Sequence, residues 1–477
     1  TIQYDTHYDT HYDTHYNMAQ NFIAYGCWNK GLCKVGSTSN GVSAVITEMD
    51  EYVSRMDVKP SFVAVAGDNY YPKIEEATGT TPKKKYFNES ELKSGFACLR
   101  DFQRKHKIPI QVIGGNHDTE NTLDFEITAS AASSRRINTG SATSLRQRRE
   151  SVAYKKNECL ITRTEINMAK STLMSFTMFN CHLFGAGNHT LVLMLDSNIY
   201  IENMAKLKDC YLPLLRNTVR HLKTSRMYPA QLNVMAFAET IQDAVADFER
   251  AASVETLRSV QLAWVNHILE AATRTGTINN VVIVAHHPLA YHKIKKNKML
   301  FQTGADNDGG AEYLKLCRHI YGHFISVQAQ FFYSCADLHT YQAGTVVLAA
   351  TDGASPPIRI NQQIAGTGGT TLETEYATLQ GQVQGHGGAS TTVDGVSITY
   401  DMSVAIHSHG FLHWRESVKS ENGHGGVSSL SVEFIPIRVR MSTEGSGGTR
   451  RRRQRHRRKY NRKQTTRNRK MNRNRKM

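Results

Sequence analysis

Four short apolar runs of strand length end abruptly in clusters of Gly, Asp, Asn and His, and that repetition limits the folds open to this chain. Phe62–Ala66 runs into Gly67-Asp68-Asn69-Tyr70-Tyr71, and Ile108–Ile113 into Gly114-Gly115-Asn116-His117-Asp118. Val281–Ala285 runs into His286-His287-Pro288, and Ala329–Tyr333 is followed, after Ser334-Cys335, by Ala336-Asp337-Leu338-His339. Further strand patterns lie at Phe22–Tyr25, Leu191–Leu195 and Thr345–Ala350. Amphipathic helical patterns fall between them at Gly41–Arg55, Glu91–Lys105 and Ala238–Thr273. Strands alternating with helices give the α/β class, with sheets covered by helices. Parallel neighbouring strands bring their C-terminal ends together, where such folds build their sites.

Asp, Asn and His are the mixed oxygen and nitrogen donors of hard to borderline divalent metals, and one shared Asp can bridge two ions. Each cluster also has a plainer reading. Gly-Asp-Asn is a common turn, and Asn-His-Asp after two glycines can cap a helix. Four unrelated loops become a poor account once order, strand context and residue type agree.

The chain of 477 residues is long enough for a large core with insertions. No apolar run approaches the ~18 residues of a membrane-spanning helix. The net charge of +16 is a property of one end. After Glu444 there are 16 Lys or Arg and no acid, which leaves residues 1–449 formally neutral. That tail, with Arg451, Arg452, Arg453, Arg455, Arg457, Arg458 and Lys459 in its densest stretch, is expected to be disordered and to bind phosphate backbones without sequence readout. Residues 1–17 are a Tyr-Asp-Thr-His repeat, expected to lack fixed structure, with Met18 as a plausible start. The main domain is then expected over 18–442, with insertions near 130–150 and 366–396 and the basic tail over 443–477. The eight scattered cysteines contain no C-x-x-C, so reduced, buried thiols and an intracellular or virion location are expected, with no recognisable secretion signal.

Gly67-Asp68-Asn69, Gly115-Asn116-His117-Asp118, Ala285-His286-His287-Pro288 and the Asp337-Leu338-His339 cluster resemble the ordered motifs of the calcineurin-like metallophosphoesterases. Tyr71 and the opening Phe22-Ile-Ala-Tyr-Gly-Cys-Trp28 narrow the resemblance to the purple, or tartrate-resistant, acid phosphatase branch. It spans roughly residues 20–350. It implies a four-layer α-β-β-α sandwich, two metal ions (Fe, Zn or Mn) and hydrolysis of a phosphomonoester or diester by a metal-bound hydroxide. By that resemblance Asp68 bridges the ions, Asn116 and His286 hold one, and Tyr71 and His339 hold the other. His117 is the proton donor, with Asp118 fixing its tautomer.

Two motifs depart from the branch. Its first motif is Gly-Asp-Trp-Gly, where this chain has Gly26-Cys27-Trp28-Asn29, and its last is Gly-His-x-His, where this chain has Ala336-Asp337-Leu338-His339. Cys27 and Asp337 can still ligate, although a thiolate suits zinc and a carboxylate suits manganese or magnesium. Asn29 could supply an oxygen in place of Cys27. The alternative function is a catalytically weak or inactive family member acting as a nucleic-acid-associated or structural protein through its tail. His287 and Gln342 are expected to support the site, and Gly366-Thr-Gly-Gly369 to be a flexible turn.

Overall fold

The computed structural model describes residues 20–437 apart from 39, 72, 76–83, 120–124, 128–159, 172, 185–189, 202–207, 226–227, 229–231, 276–277, 296–297, 305–307, 354, 374–388 and 422–423. The amino-terminal repeat, the insertion near 130–150, most of the one near 366–396 and the basic tail with Arg451 to Lys459 lie outside the described residues.

Two large sheets carry the fold. The first runs, in spatial order, His424–Ile437, His409–Glu421, Asn21–Tyr25, Val63–Ala66, Ile110–Ile113 and Met174–Phe176. The second runs Ala389–Val393, Val396–Ile406, Tyr341–Ala350, Ile358–Ala365, Gln330–Cys335, Asn280–Val284, Thr190–Leu195 and Phe179–Phe184. Both have parallel centres. Asn21–Tyr25 and Ile110–Ile113 flank Val63–Ala66 in parallel, as Thr190–Leu195 and Gln330–Cys335 flank Asn280–Val284. The polar clusters therefore come from two sheets and not from four neighbours in one.

Alternation along the central strands explains how the sheets stack, because successive side chains point to opposite faces. Phe22, Ala24, Phe62, Ala64 and Ala66 of the first sheet form one buried cluster with Val192, Met194, Val282, Val284 and Phe332 of the second. The ring of Trp414 bridges them, stacked on Phe22 at 5.5 Å and edge-on to Phe332 at 5.6 Å. The alternate residues Ile23, Val63, Val65, Ile110 and Val112, and Leu191, Leu193, Val281 and Ile283, join the core beneath the helices. Helix, sheet, sheet and helix make four layers.

The covering helices follow from local signals. Gly41–Ser54 buries Val42, Val45, Ile46, Met49 and Val53, and Asn40 caps it by accepting from the Ser43 amide at 2.9 Å. Asn88 caps Glu89–His106, which ends at Lys107 in a left-handed conformation. The helical pattern over 238–273 is three helices, Val234–Thr240, Gln242–Arg250 and Val254–Thr275. Ile241 and Ala251 leave helical geometry between them. No helix among the described residues is long and apolar enough to cross a membrane.

The expectation of reduced thiols is corrected. Cys33 and Cys98 form a disulfide across 65 residues, with Cα atoms 6.4 Å apart, and Cys210 is also disulfide-bonded. The loop after Trp28 lies on Glu89–His106, where the Cys33 amide donates to Ser94 Oγ at 3.0 Å. Cys27, Cys181, Cys317 and Cys335 are free and buried.

Candidate metal centre

Five strand ends meet where the two sheets face each other. Gly26-Cys27 follows Asn21–Tyr25, Gly67–Tyr71 follows Val63–Ala66, and a 3-10 turn at Asn116–Thr119 follows Ile110–Ile113. His286-His287 and Asp337–His339 arrive from the second sheet. Main-chain bonds stitch these loops together: the Cys27 amide donates to Gly67 O at 3.0 Å, that of Trp28 to Asp68 O at 3.2 Å, and that of Ala336 to His286 O at 2.9 Å. Cys27, Asp68 and Asp337 all have positive φ, at 52°, 52° and 55°. Such a conformation is uncommon for residues with a Cβ and gathers at functional sites. Gly115 is required by contact: a Cβ there would strike the amide and carboxylate of Asp68 and approach His286 Cε1 to 2.9 Å.

Asp68, 1% exposed, lies at the centre, and its two oxygens face different partners. On one side, Oδ2 accepts from the Tyr71 hydroxyl at 2.7 Å and lies 3.8 Å from Cys27 Sγ. The Tyr71 oxygen is in turn 3.0 Å from His339 Nε2. On the other, Oδ1 accepts from the His117 amide at 3.0 Å and lies 3.4 Å from His286 Nε2. Asn116 Oδ1 and Asp337 Oδ1 stand 3.1 and 3.7 Å from that same nitrogen. Cys27, Asp68 and His286 offer donor atoms all within 4.8 Å of one another, as do His286, His287 and Asp337.

The His286 tautomer follows from its other nitrogen. Nδ1 is 2.9 Å from the carbonyl of Ala66, which can only accept, so Nδ1 carries a proton. In the neutral ring Nε2 then presents a lone pair to three oxygens, those of Asp68, Asn116 and Asp337. Acceptors facing an acceptor need a positive charge between them, either a proton or a cation. Donation of the second ring N–H to a backbone carbonyl is also how metal-bound histidines are oriented.

Burial alone would raise the Asp68 pKa, but the imidazoles of His286 and His117 and the hydrogen bonds from Tyr71 and the His117 amide hold it down at about 2. Burial, followed by the Asp68 charge, pushes both the Cys27 thiol and the Tyr71 phenol well above their ordinary values. Burial lowers His339 to about 4, so its ring is neutral at pH 7. His117 is half-buried, with its ring 4.8 Å from that of Tyr71.

Asp118 ties two loops of the site together. Its Oδ1 accepts from the Asn69 amide, and its Oδ2 from Asn69 Nδ2 and the Gly115 amide, each at 2.7 Å. These bonds lock the Asp68 loop to the His117 loop. Burial and then the Asp68 charge raise Asp118 to about 7, against those hydrogen bonds. Asn29 turns away from the site and donates to Leu92 O at 3.0 Å. Gly366–Gly369 is a buried, packed loop and not a flexible turn: the Gly368 amide donates to Gly26 O and that of Thr370 to Cys27 O, each at 3.0 Å. Gln342 holds both the amide and the carbonyl of His292.

Two groups of supporting residues were missed in the sequence. Strand Thr190–Leu195 ends in Asp196-Ser197-Asn198, all buried. Ser197 Oγ lies 2.9 Å from His287 Nδ1 and 3.1 Å from the His287 amide, while Asn198 donates to Gly114 O at 3.0 Å. The signal was present, a fifth strand running into Asp, Ser and Asn. Glu165 lies fully buried beside Asp118, and burial and that carboxylate raise its pKa strongly. It comes from a helix that no motif marks.

No family model matches the chain, and no curated protein matches it. Among solved structures, that of PhoD aligns at a TM-score of 0.35 and 12% identity, covering 88% of this chain and 71% of that one. At that level the likeness says nothing of the site. The donors themselves fit cations: a fully buried carboxylate, an imidazole nitrogen aimed at three oxygens, and a neutral thiol and phenol that can each give up a proton.

Proposed function

We propose that this chain is a metal-dependent phosphoesterase, of calcineurin-like type and nearest in motif order to the purple acid phosphatases. Asp68 would bridge two cations. Asn116, His286 and Asp337 would hold the ion at Oδ1, and Cys27, Tyr71 and His339 the ion at Oδ2. The observation that carries this reading is His286 Nε2 facing oxygens of Asp68, Asn116 and Asp337 within 3.7 Å, where a cation can sit among them. When bound, the ions supply Lewis acidity toward the phosphoryl oxygens and lower the pKa of water. His117 protonates the leaving oxygen from its half-open position. Asp118 positions His117 through the loop that both share.

Metal analysis of the purified protein, followed by p-nitrophenyl phosphate turnover over a panel of Fe, Zn and Mn, tests the proposal. About two ions per chain with turnover is the expected result. No bound ion and no turnover would overturn it in favour of an inactive protein with a nucleic-acid-associated or structural role through the basic tail.

A further inference from the structure

Lys30 takes no part in the chemistry above, yet it stands beside the site. Its ammonium lies 6.0 Å from the centroid of the Tyr71 ring and donates to Thr371 Oγ1 at 2.9 Å. Among the described residues it has no carboxylate partner. An ammonium has three donors, so two remain for a ligand.

Both loops that hold Lys30 are pinned. On its own side, Gly31 adopts positive φ, Asn40 Nδ2 donates to Leu32 O at 2.8 Å, and the Cys33–Cys98 disulfide follows three residues after Lys30. On the other, Thr371 follows Thr370, whose amide is bonded to Cys27 O. The ammonium is thus set in place by the same loops that carry Cys27.

Charge gives that placement a purpose. A lysine beside two cations is repelled unless an anion lies between them. If Cys27, Asp68, Tyr71 and Asp337 all ligate as anions, they offset two divalent ions completely. The centre then has no excess charge with which to draw a second anionic group. Lys30 lies over the Tyr71 ring, whose hydroxyl is committed to Asp68. An anion held there sits off the ions, further along the substrate.

Resting on the phosphoesterase reading, we infer that Lys30 binds a second phosphate of the substrate and selects compounds with two linked phosphates over simple monoesters. Orthophosphate and pyrophosphate, titrated calorimetrically into protein with metal held in excess, separate the two ideas. Wild type should bind pyrophosphate more tightly than orthophosphate. Lys30→Met should lose about tenfold on pyrophosphate and almost nothing on orthophosphate, as for one charge-assisted contact. Lys30→Arg should keep the preference. Equal losses on both anions, or none on pyrophosphate, would overturn the role of Lys30 and leave the metal centre standing. If metal-loaded wild type takes up neither anion, the phosphoesterase reading fails and this inference with it.

Discussion

The Tyr71 hydroxyl donates to Asp68 Oδ2 at 2.7 Å, although the two residues lie only three positions apart on one loop. Positive φ at Gly67 and Asp68 turns the chain sharply enough to bring both side chains to one point. The phenol thereby takes one oxygen of the carboxylate and leaves the other to the His117 amide and to His286, 3.4 Å away.

That division predicts unequal metal loss. Tyr71→Phe removes a donor only on the Oδ2 side, so the content should fall from about two ions per chain towards about one. Asp68→Ala removes the shared carboxylate and should lose both. Elemental analysis after desalting reads the stoichiometry, and equal losses in the two variants would contradict a bridging Asp68.

His117 offers the cleanest separation of chemistry from binding. Its main-chain amide donates to Asp68 Oδ1, so His117→Ala should keep that hydrogen bond and the metal content. Turnover should drop ~10²-fold or more, as for loss of a general acid. A leaving group that needs no proton should recover much of the loss, and unchanged kinetics with an ordinary ester would remove His117 from the mechanism.

The sequence made the sandwich legible because its central strands are short, apolar and bounded, and because polar clusters sit where each one stops. It could not show that His286 and Asp337 come from a different sheet than Asp68, since pairing between strands leaves no mark in one dimension. Nor could it show Asp118 bonded to Asn69 and Gly115, because a carboxylate next to a histidine reads equally well as that histidine's partner. Gly366–Gly369 looked flexible by composition. Its glycines instead allow close approach, since a Cβ on Gly368 or Gly369 would meet the main chain at Gly26 or Trp28. The long helical pattern over 238–273 hid two breaks, because amphipathic spacing persists across a short kink.

Metal uptake should release protons. Burial and the Asp68 charge keep the Cys27 thiol and Tyr71 phenol protonated in the metal-free protein, and each must lose its proton to ligate. Affinity should therefore rise with pH and fall as the solution is acidified. Calorimetry in buffers of different ionisation enthalpy counts the protons. Cys27→Ser should release fewer if the thiol ligates, and an unchanged count would show that it does not. Cys27→Asp, whose carboxyl gives up its proton more readily than a thiol in the same surroundings, should bind metal with less pH dependence than wild type.

Reduction should loosen the Lys30 loop before it touches the core. The Cys33–Cys98 bond closes 65 residues, for which chain entropy gives about 4 kcal/mol. Cys33→Ser with Cys98→Ser should lower the melting temperature while leaving p-nitrophenyl phosphate turnover within a few-fold, because neither cysteine reaches Asp68. A melting curve indifferent to both the double variant and a reductant would mean the bond does not form in solution.

The basic tail should act independently of the centre. Its 16 cations without one acid should attract phosphate backbones without regard to sequence. A chain ending at residue 449 should lose retention on immobilised nucleic acid and keep its turnover of a small ester. The intact chain should elute at a salt concentration that shifts little between duplexes of different sequence, because a polycation without a groove-reading element senses charge density alone. A fall in small-ester turnover on truncation would instead tie the tail to the metal centre, and retention unchanged by truncation would place the nucleic-acid contact in the neutral body.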